Sequence, residues 1–180
     1  MSELGRDATI SLVSGPGWDN DAWQQIQDYE QFWAPFDDRF RFRAGINPDA
    51  WPAIKEPSGS VTFDLGPVFE RADGFSADED ALNDQVLSAM TAVFPADVPL
   101  VALDWQHPSY WFWPHRQAAD GEPWRIPPFP DGDYYAIITQ DLEQGTFGHP
   151  WEQTICVFGS DLTEALVPTL AAWLPVKRNS

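Results

Sequence analysis

Between Leu100 and Phe158 four runs of strand length follow one another with no helically spaced segment between them. They are Leu100-Val101-Ala102-Leu103-Asp104-Trp105, then Tyr110-Trp111-Phe112-Trp113, then Asp133 to Thr139, and last Glu152 to Phe158. Parallel neighbours need a crossover of a dozen or more residues, usually a helix. The order therefore predicts antiparallel pairing. With helical patterns on both sides of this block, the class is α+β: an antiparallel sheet with helices packed on it.

Trp18 to Trp33 predicts a first helix, with Trp23, Ile26, Glu30 and Trp33 at three- and four-residue spacing behind Asp19 or Asn20, and Pro35 as its stop. Arg39-Phe40-Arg41-Phe42-Arg43 alternates charge and ring with period two, the pattern of a strand with Phe40 and Phe42 inward. Ser60 to Leu65 reads as a second strand, closed by Gly66-Pro67. Ser76-Ala77-Asp78-Glu79 has the form of a capping box, and Leu82, Val86, Ala89, Met90 and Val93 behind it make one apolar stripe. The stretch from Pro114 to Asp131, rich in Pro and Gly, reads as a loop. Ser160 is expected to cap a last helix reaching Trp173 across Pro168. With 180 residues and no internal repeat, residues 1–180 are expected to make a single domain with short flexible termini.

Charge narrows the partners. Ten Lys and Arg against 28 Asp and Glu give a formal charge of −18, which repels nucleic-acid phosphates and anionic lipid, so neither is expected to bind. No apolar run nears the roughly 20 residues of a bilayer span. Met1 to Ile10 carries Glu3, Arg6 and Asp7 where a leader is apolar, so a cytoplasmic protein is expected. Cys156, alone in Ile155-Cys156-Val157-Phe158, reads as a buried, unreactive thiol. Ten Trp exceed what core filling requires, because every buried indole N–H needs an acceptor. An aromatic pocket or a surface of aromatic anchors accounts for the excess. From Arg71 to Arg116 no Lys or Arg intervenes while Asp73, Asp78, Glu79, Asp80, Asp84, Asp97 and Asp104 accumulate, so this stretch presents an acidic face.

Three polar and aromatic clusters lie at strand ends: Asp104-Trp105-Gln106-His107, Pro130-Asp131-Gly132-Asp133-Tyr134-Tyr135, and Phe147-Gly148-His149-Pro150-Trp151-Glu152-Gln153-Thr154. If their strands are neighbours, His149, Glu152, Asp104 and His107 can converge as acid and base groups. Trp105, Gln106, Tyr110, Tyr135, Trp151 and Gln153 are then the candidate ligand contacts. Asp-x-x-His and His-x-x-Glu on extended chain point alternate ways, which is not metal-ligand spacing, so no cofactor and no stoichiometric transition metal are expected. The plain alternative is that each His bonds a turn carboxylate and fixes a corner. Asp131-Gly132-Asp133 lacks the other ligands of a calcium loop and reads as a tight turn. Gly145-Thr146-Phe147-Gly148 has no phosphate-loop context, and there is no Gly-x-Ser-x-Gly elbow.

The series Asp-Trp-Gln-His-Pro-x-Tyr, Pro-Asp-Gly-Asp-Tyr-Tyr and Phe-Gly-His-Pro-Trp-Glu-Gln-Thr resembles a family of small acidic bacterial proteins known as a domain of unknown function, over about Trp33 to Phe158. The resemblance implies that Asp104, Trp105, Gln106, His107, His149, Trp151 and Glu152 act together; it implies no activity. Two functional readings follow from the residues. The first is a binding protein of the immunity or inhibitor type, holding a basic protein partner on an acidic and aromatic face. The second is an enzyme or binding protein for a small molecule, with a pocket closed by Trp105, Trp151 and Tyr135 and proton transfer by His149, Glu152, Asp104 and His107.

Overall fold

The computed structural model describes residues 20–180 except Ala72, so Trp18, Asp19 and the Gly15-Pro16-Gly17 break lie outside the described residues. In chain order the elements are β1 (Trp23–Gln25), α1 (Glu30–Phe40), a 3-10 turn (Pro48–Ala50), β2 (Val61–Asp64), α2 (Gly66–Phe69), α3 (Phe75–Val93), β3 (Leu100–Asp104) and β4 (Tyr110–Phe112). They continue with α4 (Pro114–Asp120), β5 (Tyr135–Ile138), β6 (Gly145–His149), β7 (Thr154–Phe158), α5 (Ser160–Ala171) and β8 (Val176–Asn179). Among the described residues the eight strands form one sheet, in the order β1-β4-β3-β5-β6-β7-β2-β8. Every neighbouring pair is antiparallel, so the chain is the expected α+β fold.

Alternation along the strands builds two cores. Leu100, Ala102, Ile137, Ile155 and Val157 face Leu82, Val86 and Met90 of α3 and Leu162, Leu166 and Leu170 of α5. Val101, Leu103, Ala136, Ile138, Phe147, Cys156 and Phe158 face the other way, toward Phe36 and Phe40 of α1 and toward Ala53 and Ile54. Each large apolar side chain hidden this way stabilises the fold by about 1.5–3 kcal/mol. Both faces are covered, and for that reason β3 and β7 are continuous apolar runs.

The first helix is a correction. Asn20 Oδ1 accepts the N–H groups of Ala22 and Trp23, each at 2.9 Å, a turn that feeds β1. Trp23 then pairs with Phe112, stacks on its ring at 4.2 Å, and donates its indole N–H to Gln117 at 2.7 Å. Long-range pairing thus overrides the helical spacing, and α1 starts only at Glu30, with Pro35 inside it. The predicted strand over Arg39 to Arg43 is also overturned: Arg39 and Phe40 finish α1, and Arg41 closes it in the left-handed conformation, φ 53°. Phe40 and Phe42 do turn inward, onto the second core.

Ser76 does not cap α3. The helix begins one residue before it, at Phe75, and its N-cap is Gly74 at φ 106°, with no side-chain cap. Ser160 likewise is the first residue of α5, behind Gly159 at φ 91°. The free amides of Asp161 and Leu162 go instead to Gln144 Oε1 at 3.1 Å, a cap delivered from a distant loop. The Pro- and Gly-rich loop contains α4, which Pro114 opens and Gly121 ends at φ 63°. Glycine-bearing β6 runs through the middle of the sheet, where a Cβ on Gly148 would meet Pro130 Cβ at 2.9 Å.

Candidate functional site

Register sorts the candidate residues onto two faces. Asp104 pairs with Tyr135, and Tyr135 with Gly148, so Asp104 and Tyr135 share the α3 and α5 face. His149 is one residue further along β6, opposite Thr154, and its side chain lies on the α1 face. The four polar residues expected to converge are therefore divided into two groups.

The first group is Asp104, His107 and Asp133. Where β3 ends, the Asp104 N–H donates to Ser109 Oγ at 3.3 Å, and Asp104 Oδ1 accepts from the Gln106 amide at 3.2 Å. His107 Nδ1 lies 3.1 Å from Asp104 Oδ1 and 3.6 Å from Asp133 Oδ2. Asp133 Oδ1 in turn accepts the Tyr134 amide at 2.7 Å. Both carboxylates are buried and the imidazole is exposed. The hydrogen bond that His107 donates to Asp104, and then the Asp104 charge, raise His107 above its ordinary value. Burial, and the neighbouring Asp104, raise Asp133. Tyr135 donates its hydroxyl to Asp131 at 2.8 Å, and burial with that acceptor raises its phenol.

Sequence reasoning missed Asp133, taking Asp131-Gly132-Asp133 as a turn alone. The signal was there in the alternation: Asp133 stands two residues before Tyr135 and so shares its face, beside Asp104 on the neighbouring strand.

The second group surrounds His149 and Glu152. In the turn between β6 and β7 the Glu152 amide donates to His149 Nδ1 at 3.0 Å. The Glu152 carboxylate turns away from the ring and accepts from Thr154 Oγ1 at 3.0 Å and from Arg178 at 2.6 and 3.0 Å. Arg178, on edge strand β8, also donates to Glu56 at 2.8 and 3.2 Å, so one guanidinium joins two buried carboxylates. Glu152 is thereby engaged in an ion triad with Arg178 and Glu56. His149 is 1% exposed, and burial holds its ring down to about 4 although the Glu152 charge pulls the other way. Its Nε2 has no hydrogen-bond partner among the described residues.

Tyr134, not Tyr135, is the ring that joins the two candidate tryptophans. It is fully buried, with its centroid 5.7 Å from Trp105, 5.1 Å from Trp151 and 4.8 Å from His149. Its hydroxyl accepts the Gly45 amide at 2.9 Å and donates to the Gly45 carbonyl at 3.1 Å. Over this fixed ring Trp105 and Trp151 stay 38% and 39% exposed. Tyr110 packs elsewhere, edge-on to Trp23 at 6.1 Å. Gln106 is exposed, and Gln153, at φ 57°, offers its carbonyl to Leu65 at 2.7 Å. Cys156 is buried and its thiol is pushed up to about 11, an inert group as expected.

Residues 25–163 match the model of a family described as a protein of unknown function (DUF2716). The chain is 36% identical over 118 residues to the uncharacterized protein YxiI of Bacillus subtilis (strain 168), covering 63% of this chain and 73% of that one. No solved structure matches. Among the described residues no helix is long and apolar enough to cross a membrane.

Proposed function

We propose, for a chain that belongs to the DUF2716 family, a binding function: it holds a basic protein partner on the surface made by Trp105 and Trp151, which sit on the buried Tyr134. The observation that carries this reading is the pair of half-exposed indoles seated on one buried, doubly hydrogen-bonded tyrosine. Rings held this way lose little side-chain entropy when a partner covers them, and tryptophan is a preferred interface anchor. An indole face also attracts the Lys and Arg side chains of a basic segment. The net charge of −18 steers a cationic partner while repelling nucleic acid and anionic membrane. A cytoplasmic setting belongs to the same reading; a chain with one buried thiol needs no oxidising compartment.

The test is comparative capture from the native host, with wild type and a Trp105→Ala/Trp151→Ala variant as baits. The proposal expects a basic protein enriched on wild type, lost on the variant, and released as salt is raised to about 0.5 M. With the purified partner, each single substitution should weaken binding by about tenfold or more. Equal recovery on both baits, or recovery of no basic protein, would overturn it. Both side chains are part-exposed, so the variant should keep the wild-type circular dichroism.

A second reading, proton transfer on a small molecule, has one observation in its favour. The His107 side chain is 65% exposed while its Nδ1 is held by a buried carboxylate, the way a general base is oriented.

A further inference from the structure

We propose that Asp104, His107 and Asp133 bind one divalent first-row transition metal ion, with Zn²⁺ the best fit. The inference rests on ligand geometry and is independent of the partner reading above. Zinc bonds to imidazole nitrogen and carboxylate oxygen are about 2.0–2.2 Å, so two donors on one tetrahedral or octahedral ion stand about 3.0–3.5 Å apart. His107 Nδ1 stands 3.1 Å from one carboxylate oxygen and 3.6 Å from the other, and the three ligand atoms all lie within 4.8 Å of one another. A protonated Nδ1 has a single hydrogen and can serve one of these oxygens well. An ion placed among them serves all three.

The donors are also fixed before any ion arrives. Asp104 ends β3 and Asp133 precedes β5, strands that are direct neighbours in the sheet. The Gln106 amide holds Asp104 and the Tyr134 amide holds Asp133, so the second ring of contacts that orients a ligand is built from backbone. Both carboxylates are buried, at 7% and 5% exposure, where two negative charges side by side call for a cation. The exposed His107 leaves one side open to solvent. Three protein donors with a free position are the arrangement of reactive zinc sites; structural sites use four.

Donor chemistry selects the metal class. One nitrogen and two oxygens, without thiolate, disfavour soft Cu(I), and the imidazole disfavours Ca²⁺ and Mg²⁺, which take oxygen ligands. Two of these three donors were already among the candidates read from the sequence. Asp104 and His107 stay, and Asp133 replaces His149 and Glu152, which face the other side of the sheet.

Protein stripped with a chelator is titrated with ZnCl₂ by calorimetry, alongside His107→Ala, Asp133→Asn and an Asp78→Asn control taken from the acidic stretch. The proposal expects saturation at one Zn²⁺ per chain, undiminished by about 10 mM Ca²⁺ or Mg²⁺. His107→Ala and Asp133→Asn should each weaken binding at least tenfold, and Asp78→Asn should not change it. His107 is exposed, and in Asp133→Asn the side-chain amide oxygen can still accept the Tyr134 N–H, so both variants should fold. No saturable binding, a stoichiometry other than one, displacement by Ca²⁺, or equal weakening in the control would overturn the site and leave only diffuse ion collection by an acidic chain.

Discussion

Replacing Arg178 by Met removes the one guanidinium that joins two buried carboxylates. Glu56 and Glu152 have side chains only 7% and 4% exposed, and Arg178 meets both at distances down to 2.8 and 2.6 Å. Stripping the cation from a buried pair costs about 3–5 kcal/mol, because the remaining charges are left unpaired. Arg178 is itself 30% exposed, so water screens part of the interaction and the lower end applies, about 3 kcal/mol. That is a large share of the roughly 5–15 kcal/mol of a typical domain. Urea unfolding at about pH 7.5, followed by tryptophan fluorescence, measures it.

The deficit of that variant should also shrink in acid. In the native chain burial pushes Glu56 up, but hydrogen bonds from Arg178 and Thr62 outweigh it and hold the carboxyl below its ordinary 4.5. Its contribution is therefore present above the unfolded value and lost as pH falls through the lower folded one. In Arg178→Met burial acts with much less opposition, so Glu56 takes up a proton more readily and part of the penalty disappears below about pH 5. A triple variant that also carries Glu56→Gln and Glu152→Gln should recover at least half the loss. A loss under about 1 kcal/mol for Arg178→Met at neutral pH would refute the reasoning: the triad would be geometry without energetic consequence.

His149 gives stability a second pH dependence. Its ring is held to about 4 in the folded chain against an ordinary 6.5, so the unfolded chain binds a proton that the folded one refuses between those values. Stability is then complete above about pH 6.5 and falls by roughly 2–3 kcal/mol toward pH 4, less any screening by water. His149→Gln, which keeps an acceptor for the Glu152 amide, should flatten that part of the profile measured by denaturant titration. An unchanged slope would count against the assignment. Ser76→Ala should change unfolding free energy by less than about 0.5 kcal/mol, because Gly74 and not Ser76 is the N-cap of α3; a loss near 1 kcal/mol would mean that the serine caps the helix in solution after all.

Sheet class, β2, β3, β7 and the α3 stripe were legible because their signals are local. Leu100 to Asp104 and Thr154 to Phe158 are buried along their whole length, and a run hidden on both faces is apolar whatever its neighbours are. The stripe from Leu82 to Met90 repeats at helical spacing for the same reason. Other elements take their identity from a partner. Strand β1 exists through Phe112, β8 through β2, and glycine-bearing β6 through the close approach of its neighbours, and none of these contacts is written in nearby residues. The site divides along the same line. Motif spacing singled out Asp104, Trp105, His107, His149, Trp151 and Glu152, but a side chain's face is set by register, and register belongs to pairs of strands. Only the sheet decides that Asp133 joins His107, that Tyr134 seats the two tryptophans, and that Glu152 turns from His149 to an arginine 26 residues away.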